Sequence, residues 1–353
     1  MSDKVLMKGN EAIAEAAIAA GCRHYFGYPI TPQNEIGAYM SKRMPKVGGV
    51  FLQAESEVAA INMVYGVAGA GKRVMTSSSS PGISLKAEGI SYAAGADLPA
   101  VIVNIQRGGP GLGGIQPSQA DYFQAVKGGG HGDYKLIVLA PASVQEMASL
   151  TVKAFELADR YLTPVMILSD GTLGQMMEPV SLDFPQQQVF EKPWALTGTK
   201  CARPKNVVNS LHLVAEKLEQ KILARYERYK AAEQNEVMCE EYLMDDAEIC
   251  VVGFGISSRV ARSAVNAARA KGIKVGLIRP VTLWPFPDAA LKAAAKKVKA
   301  FICVECSMGQ MIEDVKLATE FSKPIHLVCR SGGVIPSPEE VVGKIEELMI
   351  NDK

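Results

Sequence analysis

Through residues 1–180, short runs that are apolar throughout alternate with stretches of helical periodicity, and each changeover falls at Gly, Pro or Ser. This is the rhythm of βαβ units. The apolar runs predict strands at 24–28, 50–53, 73–76, 100–106, 136–139 and 165–168. A helix capped by Asn10 is expected to reach Ala20 and stop at Gly21, with further helices over about 56–70, 83–94 and 144–158. The strand runs do not alternate apolar with polar residues, so both faces of the sheet should be covered, as in a parallel sheet under helices.

Between 181 and 246 the pattern breaks. Pro and Gln come first, and 213–240 is then dense in Lys, Glu, Arg and Tyr, which predicts a linker with one long charged helix. Its charges form either a solvated face or a partner-binding one. From 247 to 353 the rhythm resumes, with strands expected at 249–253, 275–278, 300–305 and 326–329 and helices at 259–270 and 288–296. The fold class is therefore α/β, a domain over 1–180 followed by a smaller one over 247–353.

Composition narrows the function. A hydrophobic content of 48% with 32 glycines supplies a core with many tight backbone sites, and a charged fraction of 21% is too ordinary for a disordered chain. A net charge of +1 offers no global field for a polyphosphate backbone, so no nucleic-acid partner is expected. Residues 1–8 carry no export signal, and apolar runs such as 98–105 are far too short to cross a bilayer. Seven scattered cysteines do not resemble a disulfide framework. A cytoplasmic protein without membrane contact is the expectation.

In open α/β sheets, ligands bind outside the carboxyl ends of the strands. Four segments fall there. Tyr28-Pro29-Ile30-Thr31-Pro32 holds a hydroxyl between two prolines, and Thr31 is either presented rigidly to the crevice or the N-cap of a helix with Pro32 at its first position. Gln53-Ala54-Glu55-Ser56-Glu57 places two carboxylates at a strand-to-helix junction; the helix dipole accounts for one of them. The other is in a place for proton work, its pKa pulled up by burial and down by the dipole. Thr76-Ser77-Ser78-Ser79-Ser80-Pro81-Gly82 opens a helix and offers hydroxyls and amides to a polar ligand, or merely caps that helix. Arg107 begins a glycine loop in which Gly109, Gly111 and Gly114 match a dinucleotide pattern formally, although Pro117 follows where a helix should. Arg107 suits a carboxylate or phosphate; a loop-anchoring salt bridge competes. In the second domain, Gly253-Phe254-Gly255 is half of such a pattern. Cys303 and Cys306 have C-x-x-C spacing but no second pair, and read as buried thiols.

These segments together resemble one family, the alpha-type subunits of 2-oxoacid:ferredoxin oxidoreductases. The resemblance is carried by Gly27-Tyr28-Pro29-Ile30-Thr31-Pro32, Gln53-Ala54-Glu55-Ser56-Glu57-Val58-Ala59-Ala60, Thr76-Ser77-Ser78-Ser79-Ser80-Pro81-Gly82, Gln106-Arg107-Gly108-Gly109-Pro110-Gly111 and Arg279-Pro280-Val281-Thr282-Leu283-Trp284-Pro285-Phe286-Pro287. They occur in the family's order across nearly the whole chain. With Met7-Lys8-Gly9-Asn10-Glu11-Ala12, they look closest to the 2-oxoisovalerate branch.

The resemblance implies a domain that binds the aminopyrimidine of thiamine diphosphate and a second domain like the carboxy-terminal domain of transketolase. It implies that Glu57, nine residues before Gly66, bonds N1′ of the pyrimidine and promotes formation of the ylid; Glu55 does not match. It implies catalytic roles for Glu57, Thr31 and Arg107, and contact with the cofactor for Glu57, Thr31, Pro29, Ser78 and Ser79. The implied reaction is oxidative decarboxylation of a branched-chain 2-oxoacid to an acyl-CoA with reduction of ferredoxin; 2-oxoglutarate and pyruvate are alternative substrates. Ser169-Asp170-Gly171 is the nearest approach to a Mg²⁺ motif, with no Asn before Asn206, and no cysteine set exists for a cluster. The family resolves both absences on partners: a beta-type subunit with the diphosphate and Mg²⁺ site, [4Fe-4S] clusters on partner chains, and gamma and ferredoxin-like delta subunits. A nicotinamide-dependent dehydrogenase using the Gly109 or Gly253 loop, and a non-catalytic scaffold, are the readings from other classes.

Overall fold

A computed structural model describes residues 4–350. Residues 1–3, part of the terminus read above for an export signal, and residues 351–353 lie outside the described residues. The first half contains β1 (Lys4–Lys8), α1 (Gly9–Ala19), β2 (His24–Gly27), α2 (Asn34–Arg43), β3 (Val50–Gln53), α3 (Glu57–Gly69), β4 (Val74–Ser78), α4 (Ser80–Gly95) and β5 (Ala100–Gln106). There follow α5 (Tyr122–Val126), β6 (Ile137–Leu139), α6 (Val144–Tyr161), β7 (Pro164–Asp170), α7 (Gly171–Gln175), β8 (Met177–Ser181) and α8 (Ala215–Asn235). The last part holds β9 (Cys239–Tyr242), β10 (Ile249–Val252), α9 (Gly255–Ala270), β11 (Val275–Pro280) and β12 (Thr282–Trp284). It closes with α10 (Asp288–Ala295), β13 (Ala300–Glu305), α11 (Met311–Ala318), β14 (Ile325–Cys329) and α12 (Pro338–Ile350). Among the described residues no helix is long and apolar enough to cross a membrane.

The larger sheet has the order β12-β6-β7-β5-β4-β2-β3 and the smaller β14-β13-β10-β11-β9. Both are parallel apart from one edge strand each, β12 against β6 and β9 against β11. β4, β5 and β7 are buried along their whole length, as their unbroken apolar runs require. The sequence pattern missed β12, which leaves the second half of the chain to extend the first sheet, and the ribbon of β1 with β8. Three or five residues are too few for periodicity to mark.

Three further expectations are corrected. Asn10 does not cap α1: the helix starts at Gly9 behind Lys8, and the buried Asn10 amide instead donates to the Pro32 carbonyl and to Glu35. Thr31 is not the cap of α2 either, because the helix begins at Asn34 with Gln33 at the cap position. The charged helix α8 is not solvated all round; Arg225 and Arg228 both pair with Asp97, burying Arg225 and Tyr229 on the first domain.

Candidate functional site

The parallel order brings the carboxyl ends of β2, β3, β4 and β5 to one edge, and with them all four candidate segments. Glu57 is the first residue of α3, whose Ser56 cap accepts from the Ala59 amide at 3.1 Å. It is 6% exposed, and its carboxylate accepts no hydrogen bond from another described residue. Glu55, two residues earlier, is exposed. α4 comes close because residue 82 is Gly: a Cβ there would sit 2.1 Å from Ser78 Oγ and 2.7 Å from Glu57 Oε1.

The four serines divide sharply. Ser77 Oγ donates to Gln33 and accepts from Tyr25, and Ser80 Oγ accepts the Arg107 amide and donates to Asp121 at 2.6 Å. Ser78 Oγ and Ser79 Oγ are buried without a partner, although Ser79 stands at the N-cap position of α4. The capping explanation therefore fails for the two serines beside Glu57. A buried carboxylate, two buried hydroxyls with unused capacity and a glycine cradle form a site that fits the edge of an aminopyrimidine.

Arg107 is buried but makes no salt bridge among the described residues. Its guanidinium donates to the carbonyls of Thr31 (3.0 Å) and Leu112 (3.1 Å), and Nε lacks a partner. The competing salt-bridge explanation is thus replaced by a cation held by dipoles, its charge uncompensated. Thr31 is half-buried, its Oγ1 accepting from Asn34 at 3.3 Å, and Arg107 ties its backbone into the same edge. Pro29 lines a cavity of ≈ 300 Å³ with Tyr28, Gln33, Phe51 and Gln53. Gly66 stands on the exposed side of α3, where a Cβ would meet no other described element within 4 Å.

Other candidates stay outside this edge. The carboxylate of Asp170 accepts from the Thr172 and Leu173 amides at the start of α7. Burial pushes it up to about 6, against those bonds, one from Ile256 and the field of Arg259. The Gly253 turn is filled by the first domain: Gln119 donates to the Phe254 carbonyl and accepts from Ser257 and the Cys306 amide. A Cβ on Gly255 would lie 3.1 Å from Gln119 Nε2. The Gly109 loop is exposed and runs into an isolated bridge between Arg107 and Pro117, not a helix. Neither glycine loop has the strand-to-open-helix context that a dinucleotide needs. Cys303 and Cys306 are buried free thiols, and burial pushes Cys306 up to about 12.

Sequence reading missed Lys86. It is fully buried in α4, one turn beyond Gly82, and donates to Thr76 Oγ1 (2.7 Å) and the Ser77 carbonyl (2.9 Å). Burial pulls its ammonium down to about 7, opposed by the Glu57 charge. The available signal was a lone Lys four residues after Gly82 in a helix otherwise small and apolar on that face. It missed Gln119, too, which has no mark in the sequence that distinguishes it from a surface residue.

Comparison with known proteins gives the family. Residues 15–242 match the family described as "Pyruvate flavodoxin/ferredoxin oxidoreductase, thiamine diP-bdg", and residues 247–341 match "Pyruvate:ferredoxin oxidoreductase core domain II". The chain is 55% identical to the ketoisovalerate oxidoreductase subunit VorB of Methanothermobacter marburgensis, over 97% of both chains. It is 36% identical to the 2-oxoglutarate synthase subunit KorA of Methanothermobacter thermautotrophicus, over 98% of this chain and 99% of that one. Among solved structures, the 2-oxoglutarate:ferredoxin oxidoreductase of Magnetococcus marinus, with 2-oxoglutarate, coenzyme A and succinyl-CoA bound, superposes with a TM-score of 0.88 at 28% identity. That match covers 98% of this chain but 65% of the other. A split-gene transketolase shares the fold, with a TM-score of 0.61 at 14% identity and 99% of each chain covered.

Proposed function

Because the chain belongs to the 2-oxoacid:ferredoxin oxidoreductases, as an alpha-type subunit, we propose that it supplies the pyrimidine-binding half of a thiamine diphosphate site shared with a partner subunit. The observation that carries this reading is Glu57: a buried carboxylate that accepts no hydrogen bond from another described residue, in the first turn of α3, with the unpartnered Ser78 hydroxyl beside it at Gly82 and that of Ser79 in the same turn. The bound cofactor supplies a nucleophilic carbon for the 2-oxo group and an electron sink for decarboxylation. Glu57 holds and exchanges a proton with pyrimidine N1′, in a low-dielectric pocket where that exchange is not shared with water. Ser78 and Ser79 bond the pyrimidine edge, and Pro29 closes the wall of the pocket. Thr31 presents its hydroxyl near the reacting carbonyl. Arg107, whose charge meets only carbonyl dipoles, takes the substrate carboxylate or coenzyme A through its free Nε–H.

The reaction is the coenzyme A-dependent oxidative decarboxylation of a branched-chain 2-oxoacid, with ferredoxin as acceptor, and 2-oxoisovalerate is the preferred substrate. Identity of 55% to ketoisovalerate oxidoreductase subunits against 36–37% to several 2-oxoglutarate synthase subunits favours that order. The partner carries Mg²⁺, the diphosphate half and the clusters. Asp170 supports this, since its carboxylate is already engaged by the amides of two helices. The exposed row Val58, Asn62 and Gly66 on α3, flanked by Leu85 and Tyr92 of α4, is a surface suited to that partner.

Two measurements test the reading. Thiamine diphosphate should bind weakly or not at all to the isolated chain and tightly once the co-purified partner is present; tight binding by the isolated chain would count against a shared site. A viologen-coupled assay over branched-chain oxoacids, pyruvate and 2-oxoglutarate should give the highest kcat/KM for 2-oxoisovalerate. Dominance of 2-oxoglutarate would replace the substrate and leave the site intact.

A further inference from the structure

A lysine is almost never fully buried without a charged partner, yet Lys86 has no exposure and gives its two hydrogen bonds to neutral acceptors on β4. Neither explains a cation there. β4 and β5, on which α4 packs, contain no ionisable side chain. Tyr25 of β2 reaches the same region through Ser77, but burial pushes its hydroxyl up to about 12 and keeps it neutral. Asp121 is engaged with Ser80 and Asn104 at the first turn of α4, and Glu88 lies on the exposed face. The charge felt at Lys86 is that of Glu57, across the α3–α4 contact that Gly82 opens. The two act through space: Lys86 bonds β4, and Glu57 accepts no hydrogen bond.

We propose that Lys86 is a positioning residue for Glu57, its ammonium group acting from inside the chain as the counter-charge that keeps the carboxylate ionised and available to the aminopyrimidine. This rests on the thiamine diphosphate reading above. Lys86 also braces the floor of the pocket, because Ser77, whose carbonyl it holds, donates to Gln33, and Gln33 donates to the Tyr28 carbonyl at 3.3 Å. The two roles separate experimentally, since glutamine keeps hydrogen-bond donors for β4 but has no charge.

In the assembled holoenzyme, the pH at which N1′ of bound thiamine diphosphate loses its proton, followed by circular dichroism, should rise by about one unit in both Lys86→Met and Lys86→Gln. A wild-type midpoint in Lys86→Gln overturns the proposal and leaves a structural brace. Linkage is reciprocal, so removing the Glu57 charge must act on Lys86. In ¹³Cε-lysine NMR of the full chain without cofactor, Glu57→Gln should lower the pH at which Lys86 titrates by a similar amount. An unmoved Lys86 overturns the proposal even where both lysine variants fail to assemble. A wild-type complex that binds no thiamine diphosphate instead overturns the parent reading, whatever the NMR gives.

Discussion

At the carboxyl edge of the larger sheet, β4 runs through Ser79 into α4; at the same edge of the smaller sheet, β10 runs through Phe254 into α9. Both are strand-to-helix turns rich in Gly and Ser, and both present the positive end of a helix to a crevice. Around the first, the fold gathers groups with unused bonding capacity: Glu57, Ser78 and Ser79. Around the second, it gathers groups that bond to one another. Gln119 takes the Phe254 carbonyl, Ser257 and the Cys306 amide, while Asp170 accepts from Ile256. A helix start becomes a ligand site only where the rest of the fold leaves its neighbours unpaired. On the proposed reading the first turn serves binding; the second joins two domains.

That contrast predicts different damage at each turn. The largest effect falls on the open one: Glu57→Gln should lower turnover by roughly 10²–10⁴-fold, the ordinary range for removing a proton-transfer group. Co-purification with the partner should be unchanged, and retained turnover in the coupled assay would remove Glu57 from the chemistry. At the filled turn, Gln119→Leu strands the Cys306 amide in the interface and takes from the Phe254 carbonyl one of its two donors, leaving the Ser258 amide. A loss on the order of 2–5 kcal/mol of stability is expected in urea unfolding, and an unchanged midpoint would show that the domains do not depend on this residue.

Asp170 tests the same interface by pH. Its folded pKa is raised to about 6 from 3.8, so its contribution to stability is present in full below about pH 4 and is lost as pH rises through about 6. The difference amounts to ~3 kcal/mol. Asparagine keeps the cap, so subtracting the urea midpoints of Asp170→Asn from those of wild type across pH 4–7 should isolate that slope; parallel curves would mean the carboxylate is not titrating there. The smallest effect is expected for Gly82→Ala, whose methyl would meet Ser78 Oγ and Glu57 Oε1. The atoms it meets are side-chain atoms that can turn aside, so the change should appear as weaker thiamine diphosphate binding in the complex with little change in urea stability. Equal damage to both would mean that this turn holds the fold together just as the other does.

Much of this was legible from the chain alone. The strands Val50–Gln53 and Ala100–Gln106 fall on their expected residues, because buried parallel strands write themselves as unbroken apolar runs. The segments that hold Ser78, Ser79, Glu57 and Arg107 could be marked because residues just after strands must lie at the sheet edge; the choice of Glu57 over Glu55 came from the family resemblance. The pattern of four serines gave no physical reason to choose two of them, since capping explains any serine before a helix equally well until the partners are known. Thr31 was misplaced as a cap for a related reason: Thr-Pro before a helical run reads as a helix start, but the helix starts at Asn34 with Gln33 at the cap position. Lys86 left only the faint mark of a lone Lys on an apolar helix face, and Gln119 was invisible, because its neighbours come from positions distant in sequence.

The sequence by itself determined the α/β class, the βα alternation of the main elements, the residues placed at the strand ends, and the family, because these depend on local periodicity and on short contiguous motifs. Only the tertiary structure decided which of those residues remain unpaired. It brings Gly82 against Glu57, sends β12 back into the first sheet, and fills the Gly253 turn with Gln119. Burial and hydrogen-bond satisfaction are properties of surroundings, and for a polar group in this fold the surroundings come from other elements of the chain.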